Sequence, residues 1–151
     1  MMPQESTRTS TLLRKLGNAP DFHEFVEAHE DAIQEVSFSD YLGELCRQRG
    51  LIPERVIRTA QIDRTYGHQL FNGTRKPSRD KAIQLAFGFG MGVEEAQSLL
   101  RAASKSQLYP RIMRDAAVLF CLSRNINIFE AQSLLESLGL TLLGGDGQRG
   151  E

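Results

Sequence analysis

Cysteine is scarce in this sequence. Cys46 and Cys121 stand far apart and match no metal-ligand spacing, which argues against a disulfide scaffold and against a zinc site built on paired cysteines. Both read as small buried hydrophobes. No apolar run is longer than a few residues, so no segment is suited to cross a bilayer. The polar stretch Met1 to Ser10 has no apolar signal-peptide core, and the expected location is cytoplasmic. No nucleophile stands beside a base, and no carboxylate pair has an inferable pocket, so neither an enzyme nor a cofactor or metal site is expected. Phe87-Gly88-Phe89-Gly90-Met91-Gly92 alternates glycines without a preceding strand or a following Lys-Ser/Thr, and it reads as a helix end and linker over core phenylalanines. His23 and His29 lie six apart on an acidic helix, the wrong interval for two ligands on one face. What remains is ordinary globular composition: 151 residues, 40% hydrophobic and 25% charged, enough for one sizeable core or two small ones.

The formal charge of −1 conceals a segregation. No Lys or Arg occurs from Gly17 to Cys46, where eight acids stand alone. From Arg47 to Lys81, nine basic residues face three acids, a net of +6. An acidic block followed by a basic one suggests a polyanion-binding face beside a segment that repels or mimics polyanions.

Helical periodicity and helical punctuation cover almost the whole chain, and nothing reads as a strand. Residues 1–36 are expected to be a flexible arm and an acidic helical segment, broken near Gly17 to Pro20, with Phe22, Phe25, Val26 and Ile33 on one face. Ser37 opens the next helix, with Asp40 at capping-box spacing, and Gly50 stops it. Pro53 suits the first turn of a short helix ending near Ala60. Asp63 caps a helix over Arg64 to Asn72 that Gly73 closes, and Ser78 caps another from Arg79 to about Phe87.

Ala96-Gln97-Ser98-Leu99-Leu100 recurs as Ala131-Gln132-Ser133-Leu134-Leu135, a displacement of 35. At the same displacement Arg79-Asp80 meets Arg114-Asp115, Ala82 meets Ala117, and Glu95 meets Glu130. A period of that size is one helical hairpin. Residues 105–143 are therefore expected to form a C-terminal hairpin repeating the 79–104 region, capped at Asn127, with 144–151 a disordered tail.

Leu51-Ile52-Pro53-Glu54-Arg55-Val56-Ile57, Asp63-Arg64-Thr65-Tyr66, Leu70-Phe71-Asn72-Gly73 and Pro77-Ser78 together resemble the phage-repressor-like, or XRE, helix-turn-helix family. The resemblance covers about residues 37–104. It implies an all-α fold: a compact five-helix domain flanked by the acidic N-terminal helix and the C-terminal hairpin. It further implies a transcriptional regulator that binds double-stranded DNA sequence-specifically, commonly as a homodimer, with the helix Arg64–Asn72 in the major groove. Arg64, Thr65, His68 and Gln69 would then face bases, and Arg75, Lys76 and Arg79 phosphates. The leucine-rich hairpins, with Leu99, Leu100, Leu134, Leu135, Leu138 and Leu140, would supply either the dimer surface or an internal core.

Four positions depart from the family pattern. Ile57 stands where a small residue is usual and Gly67 where a bulky aliphatic is usual, a size exchange that conserves volume if the two touch. Gln61 replaces a frequent turn glycine, and Pro53 a polar phosphate-contacting residue. The alternative function is a protein-interaction adaptor on the same fold without DNA binding, with the acidic N-terminal helix holding a protein partner.

Overall fold

The computed structural model describes residues 9–30 and 36–144, and every regular element among them is a helix. The chain divides into two units, residues 1–36 and 37–151.

The first unit contains α1 (Thr9–Asn18) and α2 (Phe22–Ala28). Asp21 caps α2, its carboxylate accepting the Glu24 N–H at 3.0 Å. Phe25 is buried, and the His29 ring stacks on it while Nδ1 donates to the Phe25 carbonyl. Phe22, expected on the same apolar face, is instead 63% exposed at the open first turn. Ile33 lies outside the described residues.

The second unit is built from α3 (Phe38–Arg49), α4 (Pro53–Thr59), α5 (Arg64–Asn72), α6 (Arg79–Phe89), α7 (Val93–Ala102), α8 (Met113–Ser123) and α9 (Ile128–Ser137). Its boundaries follow local chemistry. Ser37, Asp63, Ser78 and Asn127 each accept a backbone N–H three residues on, satisfying one orphan donor of a helix start. At Gly50, Gly73 and Gly90 the chain takes the left-handed conformation that ends a helix. α6 runs two residues past the expected Phe87, because the left-handed residue is Gly90 rather than Gly88.

α6 is the centre of this unit. Its Ile83, Leu85, Ala86, Phe87 and Phe89 are all buried, and it packs against α4, α7 and α9. Gly88 lets α4 approach closely: a Cβ there would lie 2.6 Å from the Val56 carbonyl oxygen and 2.9 Å from the Ala60 Cβ. Cys46 and Cys121 are both in the core, and burial raises both thiol pKa values.

The 35-residue repeat is a structural repeat, closed by reciprocal ion pairs. Arg79 of the first copy forms a two-pronged pair with Asp115 of the second, at 2.9 and 3.1 Å. Arg114 of the second pairs likewise with Asp80 of the first, at 2.8 and 3.0 Å. Each arginine also donates to two carbonyls of its own copy's return segment, Ser106 and Gln107 for Arg79, Thr141 and Leu142 for Arg114. Each buried aspartate accepts one more backbone N–H, Tyr109 on Asp115 and Gly144 on Asp80. Gln97 and Gln132 each clamp a backbone in both directions, at Leu108 and Leu143. Positive φ recurs in register as well, at Gly90 and Asn125 and at Ser104 and Gly139. Gly144, assigned by sequence to a free tail, is therefore tied into the fold, while 145–151 lie outside the described residues. Leu99, Leu100 and Leu135 are buried and Leu134 and Leu140 half-buried, so these leucines serve the internal core; Leu138 alone of the set is exposed.

Candidate nucleic-acid interface

α4 and α5 are joined by a four-residue turn, Ala60 to Asp63. Gln61 occupies the left-handed region at φ 59°, a conformation that glycine adopts without strain. Its conformation is held from below: Gln84 Nε2 donates to the carbonyls of Ala60 and Gln61 at 3.1 and 3.3 Å. The two helices meet at Ile57 and Gly67. A Cβ on Gly67 would lie 2.5, 2.7 and 2.9 Å from the Cγ2, Cγ1 and Cδ1 of Ile57. The large side chain on α4 thus fills the space opened by the glycine on α5, as the size exchange required.

With Gly67 and Leu70 buried, the opposite edge of α5 carries Arg64 and Thr65, both exposed, and His68 and Gln69, both half-buried. Their surroundings differ. Glu54 on α4 accepts from Arg64 Nε at 3.0 Å and lies 2.8 Å from His68 Nε2, holding two of the four together. These contacts hold the Glu54 carboxyl below the usual carboxylate range, the His68 hydrogen bond first and Arg64 second. Gln69 Oε1 accepts from Arg75 Nε at 3.0 Å, and the Arg75 guanidinium lies 4.7 Å from the centre of the Tyr66 ring. Lys81 approaches the same ring at 5.5 Å.

Arg75 and Lys76, expected at phosphates, are exposed in the loop beyond α5. Arg79 is not available beside them. Its guanidinium is engaged with Asp115 and two carbonyls, and its side chain is only 22% exposed. The basic block is correspondingly smaller than its count of nine. Arg47 pairs with Glu44, Arg49 with Glu95, Arg64 with Glu54 and Arg79 with Asp115. Among the described residues, no ion pair involves Arg55, Arg58, Arg75, Lys76 or Lys81.

Glu54 and Tyr66 are the participants that sequence reasoning passed over. Glu54 lies ten and fourteen residues from its partners, an interval with no meaning within one helix. Tyr66 stands in the sequence only as part of the Asp63–Tyr66 stretch, and its two cations, Arg75 and Lys81, become its neighbours only when the chain after α5 folds back. No group of three or more metal-ligating side chains gathers among the described residues, and no helix among them is long and apolar enough to cross a membrane.

Comparisons with protein-family models, with curated proteins and with solved structures return no match.

Proposed function

We propose that residues 37–104 form a phage-repressor-like helix-turn-helix domain, and that the protein is a sequence-specific regulator that reads duplex DNA with α5 in the major groove. The observation that carries this reading is the α4–α5 unit. Two short helices cross through Ile57 and Gly67, and a polar edge of the second faces away from the core. On that edge Arg64 suits the paired acceptors of guanine, Gln69 the donor–acceptor edge of adenine, and Thr65 a hydroxyl contact with a methyl for thymine. Arg75 and Lys76 supply sequence-independent phosphate contacts, with Arg55 and Arg58 as further uncompensated charge. Arg79 is not part of this set. The function is binding rather than catalysis, requires no cofactor, belongs in the cytoplasm, and is best served by a dimer whose two α5 helices reach successive grooves.

Glu54 favours a second reading. A carboxylate across two of the four base-facing side chains opposes a polyanion, and a protein-interaction adaptor would tolerate it. Selection from a randomised duplex pool, repeated at two salt concentrations, separates the two. The regulator enriches a two-fold symmetric sequence and loses affinity steeply as salt rises. The adaptor enriches nothing.

A further inference from the structure

Of the four side chains on the polar edge of α5, only His68 changes its charge between pH 5 and 8. Its Nε2 lies 2.8 Å from Oε1 of Glu54, whose Oε2 accepts from Arg64 Nε at 3.0 Å. A carboxylate offers acceptors only, so the His68 nitrogen beside it carries the proton. The Glu54 carboxyl, held below the usual carboxylate range, stays ionised throughout the histidine range. The neutral ring therefore keeps Nδ1 as an acceptor, and no hydrogen bond among the described residues occupies that atom. Protonation turns Nδ1 into a donor without disturbing the contact at Nε2. It also shifts the charge of the cluster: Glu54 balances Arg64 while His68 is neutral, and one positive charge is left over once His68 is protonated.

We infer that His68 is a proton-dependent specificity residue of the reading helix, its Nδ1 accepting from a base amino group when neutral and donating to guanine when charged. The inference rests on the proposed reading of the major groove by α5. Cytosine presents an amino donor there and guanine the acceptors O6 and N7, so gain of a proton reverses which base of a G·C pair the ring prefers. The same proton removes the objection that Glu54 raises, because the carboxylate then neutralises the imidazolium and Arg64 is left for the DNA. Few other charges bear on the ring. α4 presents Glu54, while its Arg55 and Arg58 enter no ion pair among the described residues. α3, also packed on α5, carries Asp40, Glu44, Arg47 and Arg49, and its pairs run elsewhere, Glu44 to Arg47 and Arg49 to Glu95. Arg75 is engaged with Gln69 and the Tyr66 ring. The His68 side chain is itself 42% exposed, open both to solvent protons and to a base edge.

The test is selection from a randomised duplex pool at about pH 8 and about pH 5.5, which bracket the ordinary histidine range, with the native full chain, His68→Gln and His68→Arg. Circular dichroism establishes the fold of each chain at both pH values. The native chain should change its preference at one base pair of each half-site, towards guanine in acid. His68→Gln, never charged, should hold one preference throughout, and His68→Arg, always a donor, should select guanine at both pH values. By fluorescence anisotropy on duplexes differing at that pair, the guanine-to-cytosine affinity ratio of the native chain should rise at least fivefold from pH 8 to 5.5, the scale of a charge-assisted hydrogen bond. In both variants it should change less than twofold; should His68→Gln not fold, His68→Arg carries the comparison. His23 and His29 titrate in every chain, so the comparison removes their effect. Enrichment with the same preference at both pH values, or a shift that persists in the variants, overturns the inference and leaves reading by α5 standing. No enrichment by the native chain at either pH removes the reading, and the inference with it.

Discussion

Replacing Ile57 by alanine and Gly67 by valine in the same chain is expected to leave its stability close to that of the native protein, although either change alone is damaging. The reasoning rests on the contact between α4 and α5. Ile57→Ala removes three buried carbons and opens a cavity, a class of change that costs about 2–5 kcal/mol. Gly67→Val pushes three carbons into space already held by Ile57, whose side chain would stand 2.5–2.9 Å from the new Cβ. Overpacking of that kind costs about 1–3 kcal/mol and occasionally more. Added as independent events, the two amount to at least ~3 kcal/mol, a large share of a domain's total stability. In the double variant the three carbons lost from α4 are replaced by three on α5, and volume-conserving exchanges typically cost under about 1.5 kcal/mol. The expected coupling is therefore favourable by at least ~1.5 kcal/mol, measurable as a double-mutant cycle of urea midpoints followed by circular dichroism. A double variant as unstable as the sum of its parents would refute the contact, and with it the interlocked α4–α5 unit.

Gln61→Gly should raise stability by about 0.5–1 kcal/mol in the same assay, since a left-handed residue with a Cβ is strained and the Gln84 bonds to the backbone survive the change. Arg114→Met should cost about 3–5 kcal/mol by stranding the buried Asp80 charge, and Arg114→Met/Asp80→Leu should recover much of that loss. A cost below about 1 kcal/mol for the single change would mean that the reciprocal pairs do not hold the repeat together. Glu54→Gln should tighten binding to a selected duplex several-fold near neutral pH, read by fluorescence anisotropy, by releasing Arg64 and His68. Because the Glu54 carboxyl titrates below its ordinary value, the stability it adds is complete above the unfolded value and lost as pH falls through the folded one. Unfolding midpoints of native and Glu54→Gln chains should accordingly converge in acid; a constant gap down to low pH would contradict the assignment.

Much of the helical layout is legible locally. Ser37, Asp63, Ser78 and Asn127 cap helices, and Gly50 and Gly73 stop them, because caps and left-handed stops are set by the residue and its immediate neighbours. The repeat is equally visible, since the matching Arg-Asp pairs and leucines stand in one register. What the repeat conceals is the cross-pairing: Arg79 finds Asp115, not its neighbour Asp80, and is withdrawn from a surface role that its place near the loop suggested. The Glu54 pairs with Arg64 and His68 are hidden for a similar reason, being created by a crossing of two helices. The exposure of Phe120 on α8 is unreadable in sequence, because Phe120 and the buried Leu85 occupy the same phase of the repeated helical pattern.

The proposal that α5 reads bases is tested most directly by repeating duplex selection with Arg64→Ala and Lys76→Ala beside the native chain. The native chain should enrich one two-fold symmetric sequence. Arg64→Ala should relax the preference at one base pair of each half-site, while Lys76→Ala should keep the sequence, bind it more weakly and reduce the salt slope by about one. No enrichment by the native chain, or a preference unchanged by Arg64→Ala, would contradict a reading role for α5.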